Sequence, residues 1–101
     1  MSKTNEIQDV IVQVISHIAC TRSGYENWFA GTSANLETIL KLHNINKNED
    51  DWLTFDVSSG EVAANIRDFF INEMGMDGNG NQNSKQGHYF YVYRKTSHTF
   101  P

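Results

Sequence analysis

Tyr89-Phe90-Tyr91-Val92-Tyr93 is the stretch that decides the fold. Its four aromatic side chains and one β-branched side chain fit a pleated strand and put bulk on both faces. The run predicts either an interior strand of a sheet or a strand that shows one face to a partner. After it, Arg94 to Pro101 frays or turns back. Before it, residues 75–87 are Gly, Asn, Gln, Asp, Ser and Lys with one Met, too polar to pack and rich in residues that tolerate left-handed backbone, which predicts a mobile loop.

Upstream of that loop, Val62, Ala63, Ile66, Phe69, Phe70 and Met74 repeat at helical spacing, with Ser58 or Ser59 as cap and Gly75 as stop. Trp52, Leu53, Thr54 and Phe55 predict a short strand whose alternation extends to Val57, preceded by the acidic trio Glu49, Asp50 and Asp51. Leu36, Ile39, Leu40 and His43 predict a helix capped by Thr32 or Ser33 and broken by the Asn44 to Asn48 segment. Tyr25, Trp28 and Phe29 lead a strand that ends at Gly31. Ile7, Val10, Ile11, Val14, Ile15 and Ile18 form a stripe with Val12 off it, predicting a helix over about residues 5 to 20 capped by Thr4 or Asn5. The Val and Ile density of this stretch also allows a strand. The expected fold is α+β: one domain over residues 1–101, with a sheet of about three strands, helices packed against it, and the order α-β-α-β-α-β.

Eight Lys+Arg against twelve Asp+Glu leave a net charge of -4, so no broad basic field draws in nucleic acid or anionic membrane. No apolar run approaches the roughly 20 residues of a membrane span, and no signal peptide is evident, so the expectation is a soluble cytoplasmic protein. The lone Cys20 has no internal partner and reads as a small apolar filler. His17, His43, His88 and His98 lack a ligand spacing, so no metal site is expected from them.

The segment Phe29-Ala30-Gly31-Thr32-Ser33-Ala34-Asn35-Leu36-Glu37-Thr38-Ile39-Leu40-Lys41-Leu42-His43-Asn44 resembles the second motif of the GIY-YIG nuclease domain, a Tyr-x-Gly strand end that runs through Ser/Thr and Asn-Leu into a helix closing with His-Asn. Residues 61–71 are similar to that family's later helix, on which an Ala precedes a metal-binding carboxylate by one turn. The resemblance implies a GIY-YIG-like fold stripped of its chemistry. Phe29 stands where the family's tyrosine helps activate water, and has no hydroxyl. Ile39 replaces the arginine that would steady phosphate charge, and Arg67 replaces the glutamate that would hold a cation unless the register shifts to Asp68. The first motif is missing upstream, although Gly87-His88-Tyr89 could supply it in a permuted order.

Two functional classes follow from the resemblance. In the first, the domain is a non-catalytic binding or regulatory module, with Gly31, Thr32, His43, Asn44 and Arg67 as binding candidates and no cofactor. In the second, it is a relocated nuclease using Tyr89, His43 and Asp68 around Mg²⁺. A third class is a protein-interaction module that pairs or homodimerises through the last strand. The plainer readings are a helix-end role for His43, a solvated charge on an exposed helix face for Arg67, and core positions for Trp28 and Trp52 in place of base stacking.

Overall fold

The computed structural model describes residues 6–21, 24–46, 50–78 and 87–99. The expected caps Thr4 and Asn5, Glu49 of the acidic trio, most of the 75–87 loop and the end of the tail lie outside the described residues.

Helix α1 spans Glu6–Thr21, which settles the helix-or-strand choice. Val10, Val14 and Ile18 are buried along its stripe, while Val12 is 54% exposed. The Glu6 carboxylate accepts bonds from the Ser58 amide and hydroxyl, tying the start of this helix to a distant turn. A 3₁₀ turn at Tyr25–Asn27 leads into β1, Trp28–Ser33. The strand therefore runs through Gly31 instead of ending there. Glycine is needed at this point because a Cβ would lie 2.5 Å from the Tyr91 hydroxyl.

Helix α2 spans Leu36–Leu42, and its cap is Asn35 rather than Thr32 or Ser33. The Asn35 side chain accepts from the Glu37 and Thr38 amides, while the Ser33 hydroxyl bonds to Asn35 itself. The strand's continuation to Ser33 moves the helix start downstream. Strand β2 is Trp52–Asp56, and Val57 then donates its amide to the His88 carbonyl. Helix α3 spans Gly60–Asn72, capped by the Ser59 hydroxyl at the Val62 amide, and Gly75 follows its end with φ 82°.

Two corrections concern the predicted loop. Asp77–Gly78 is a two-residue strand, β3, parallel to β1, and Met76 before it is buried. Strand β4 spans Tyr89–Arg94, and the sheet order β2-β4-β1-β3 has four strands, not about three. Among the described residues the architecture is α+β, three α-helices with a mixed sheet, in the order α1-β1-α2-β2-α3-β3-β4. Because β4 pairs antiparallel with both β1 and β2, the last strand has no free edge to offer a partner.

Alternation along β4 divides the core. Phe90 and Val92 join Trp28, Ala30, Ala63, Ile66, Phe70 and the α1 stripe on one face, where the Phe70 and Phe90 rings stack at 5.8 Å. Tyr91 and Tyr93 join Phe29, Ile39 and Ile45 on the other face, under α2. Each such aromatic contributes about 1.5–3 kcal/mol by leaving water. Trp28 is core as expected, Trp52 is half-buried against the α2-side cluster, and Cys20 is exposed rather than a filler. Among the described residues, no helix is long and apolar enough to cross a membrane.

Candidate functional site

The helical spacing that buries Ile39 also turns His43 inward at the end of α2, where it is 3% exposed. Its Nε2 lies 2.7 Å from the Tyr91 hydroxyl and its Nδ1 lies 2.9 Å from the Tyr93 hydroxyl. The Phe29 ring packs on the imidazole with centroids 4.8 Å apart. A neutral imidazole has one N–H and one lone pair, so one phenol donates to His43 and the other accepts from it. Burial pushes both phenols well above the ordinary tyrosine range, with Tyr91 and Asp77 adding to the effect at Tyr93.

After His43 the helix ends in a Schellman arrangement. The Ile45 amide donates to Leu40 at 2.9 Å and the Asn44 amide to Lys41 at 3.4 Å, with Asn44 left-handed at φ 54°. Asn44 then points outward and donates through Nδ2 to the His98 carbonyl at 2.8 Å. This joins the helix end to the C-terminal turn, in which the Thr96 amide donates to Thr99 Oγ1. Between the two lies an open cleft of about 430 Å³ lined by Asn44, Ile45, Asn46 and His98. Asp50 is bonded to two of these lining residues, its Oδ2 accepting from the Asn46 amide at 2.6 Å and meeting His98 Nε2 at 2.7 Å. Burial pushes the Asp50 carboxyl upward, but the Asn46 amide and the His98 ring together outweigh it and hold the group below its ordinary value.

The structure brings together only some of the predicted residues. His43 and Asn44 meet at the α2 end, His43 facing the core and Asn44 the cleft, and Gly31 lies beneath Tyr91 on the same side of the sheet. Thr32 alternates with Gly31 and so belongs to the opposite face. Arg67 is not on an exposed face. At the 63, 66, 67, 70 spacing it falls on the buried side of α3, is 3% exposed, and bonds to Asp68 through Nε at 2.9 Å and Nη2 at 2.8 Å. Its Nη1 has no partner among the described residues. Asp68 is therefore across the sheet from His43, and Tyr89 pairs with Ser33 and Asp56 at the far end of β4 from Tyr93. Phe29 and Ile39 share the α2-side core, and Arg67 does not join them.

The sequence reading missed Tyr91 and Tyr93 as partners of His43, although their i, i+2 spacing in a strand was the available signal. It also missed Asp50 with His98, 48 residues apart, for which no local signal exists. The other histidines also face aspartates, His17 with Asp51 at 2.5 Å and His88 with Asp56 at 2.6 Å. Among the described residues no three His, Cys, Asp or Glu side chains gather as a metal-ligand group. No protein-family profile, curated protein or solved structure matches the chain.

Proposed function

We propose that this domain is a non-catalytic binding module, a GIY-YIG-like arrangement whose catalytic residues have been replaced, and that it binds through the cleft at the end of α2. The supporting observation is the separation of the reactive groups. His43 has both ring nitrogens engaged by tyrosines in the core, and Asp68 lies on the other side of the sheet bonded to Arg67. A general acid or base must reach the atom whose proton it moves; buried His43 lacks that access, and half-exposed Asp68 lies across the sheet where it cannot act together with His43. Among the described residues that line the cleft, Asn44, Ile45, Asn46 and His98, there is no Lys or Arg, which favours a protein partner over a phosphate backbone. A cytoplasmic location is part of the same reading.

The test is incubation with plasmid and with single-stranded DNA in Mg²⁺ or Mn²⁺. No cleavage above buffer is expected. Cleavage by the purified protein that disappears in Asp68→Ala would replace the binding module with the nuclease.

A further inference from the structure

The two edges of the sheet are unlike. On one side β3 is two residues long, and Lys95 reaches its Asp77 carboxylate at 3.3 Å. On the other side β2 runs for five residues, Trp52-Leu53-Thr54-Phe55-Asp56, in unbroken register with β4. It has no bulge, no Lys and no Pro, the features that keep an edge from pairing with another chain. Among the described residues no strand lies on its outer side.

The bonds at the two ends of β2 fix which backbone groups face outward. The Arg94 amide donates to the Asp51 carbonyl and the Val57 amide to the His88 carbonyl, so the odd-numbered positions are the ones bonded to β4. Thr54 and Asp56 therefore turn their N–H and C=O groups outward, where nothing bonds to them. Their side chains share one face of the strand. Thr54 Oγ1 is buried with no hydrogen-bond partner. The Asp56 side chain is 64% exposed, and its Oδ1 is engaged by His88 Nδ1 at 2.6 Å while its Oδ2 is not engaged. The strand thus holds an unused donor at one outward position and an unused acceptor at the next.

We infer that β2 pairs antiparallel with the β2 of a second copy of this chain, about a two-fold axis at Phe55. In this register Thr54 of each copy lies opposite Asp56 of the other, and their outward backbone groups bond reciprocally on both sides of the axis. Each Asp56 Oδ2 accepts from the Thr54 hydroxyl across from it, after a χ1 turn that breaks no existing bond. Phe55, half-buried with its ring on Phe90, meets its own mate at the axis as the closely spaced pair. Asp51 lies on the opposite face of the strand from Asp56, beside His17, so these two carboxylates do not meet across the axis. The occupant is a copy of the chain because the one strand supplies both the donor and the acceptor that its partner leaves unused. One short strand from each copy buries less than a standard interface, so the association is weak and depends on concentration. None of Thr54, Phe55 and Asp56 lines the α2-end cleft, so the pairing does not depend on what the cleft binds.

The experiment is sedimentation velocity and amide hydrogen exchange on the full chain between about 10 µM and about 1 mM, a range that brackets weak association. A monomer–dimer equilibrium is expected, with the Thr54 and Asp56 amides slowed in exchange only towards the concentrated end. Thr54→Pro removes an outward N–H at a position where proline leaves the β4 ladder intact, and should be monomeric throughout. Thr54→Val removes the hydroxyl alone and should weaken the dimer about tenfold. Circular dichroism checks the fold of both variants, and if either unfolds the wild-type exchange pattern still decides. A wild type that stays monomeric across the range overturns the second copy as occupant and leaves the edge to a strand of another protein. A dimer whose Thr54 and Asp56 amides exchange as they do in the monomer, or one that a folded Thr54→Pro leaves intact, overturns the pairing as well.

Discussion

The Tyr91 hydroxyl lies 2.7 Å from Nε2 of His43, a residue 48 positions earlier in the chain, and the pair is buried beneath α2. With Tyr93 on the other ring nitrogen at 2.9 Å, one imidazole satisfies two buried phenols. A buried polar group left without its partner costs about 1–3 kcal/mol, more than the net gain from making the bond.

His43→Leu removes the imidazole bond from both phenols and should destabilise the fold by about 2–4 kcal/mol, more than Tyr91→Phe, which removes one of the two bonds to the ring. The triple variant His43→Leu/Tyr91→Phe/Tyr93→Phe should be more stable than His43→Leu alone. Urea midpoints of the four proteins give the order, and a triple variant weaker than the single one would show that the network is not what holds this face.

Gly31→Ala drives a methyl to within 2.5 Å of the Tyr91 hydroxyl and 2.6 Å of its ring carbon, and Tyr91 is pinned by His43. A loss of about 1–3 kcal/mol is expected from overpacking. Shortening the neighbour with Tyr91→Leu should make the alanine nearly neutral in a double-mutant cycle, read from thermal melts.

High pH should act through the same tyrosines. Their folded-state values lie above the unfolded value of about 10, so the unfolded chain releases these protons first. Their contribution is complete below about pH 10 and declines above it, by about 1.4 kcal/mol per pH unit for each tyrosine. Urea midpoints of the wild type and Tyr91→Phe between pH 9 and 11.5, assay conditions chosen to bracket about pH 10, should show the shallower alkaline decline in the variant.

Asp50 works in the opposite direction. Its folded-state value is below the unfolded one of about 3.9, so its contribution is present above that pH and is lost as pH falls through the folded value. The stability gap between wild type and Asp50→Asn should be steady near neutrality and close on acidification below about pH 4, as followed by tryptophan fluorescence.

Asn44 combines a left-handed backbone with a side-chain bond to His98. Asn44→Gly keeps the first and loses the second, while Asn44→Ala loses both. Alanine should be the worse substitution by about 1 kcal/mol in chemical denaturation. The reverse order would mean that the backbone conformation at this helix end is not under strain.

Much of the fold is legible in local pattern. The α1 stripe has a 3.6-residue period, and the aromatic run with bulk on both faces left an interior strand or a partner-facing one, of which the sheet order takes the interior place for β4. The cap was expected at Thr32 or Ser33, and Asn35 took the role only because β1 runs on to Ser33, a length that local pattern does not give. Asp77–Gly78 has poor strand propensity and pairs only because β1 provides an edge. Arg67 looked exposed because guanidinium groups usually are, and its burial depends on what α3 packs against.

The same division runs through the site. From the sequence alone came the α+β class, the helical and strand periodicities, the absence of a broad basic field, and the interest of His43 and Asn44 at a helix end. These are properties of neighbours within a few residues, where spacing and composition act directly. Tertiary structure alone chose Tyr91 and Tyr93 as partners for His43, set Asp50 against His98 behind the cleft, and put the sheet between His43 and Asp68. Such pairings depend on which faces meet when the chain closes over tens of residues, and burial then makes the hydrogen bonds obligatory because water is no longer there to replace them.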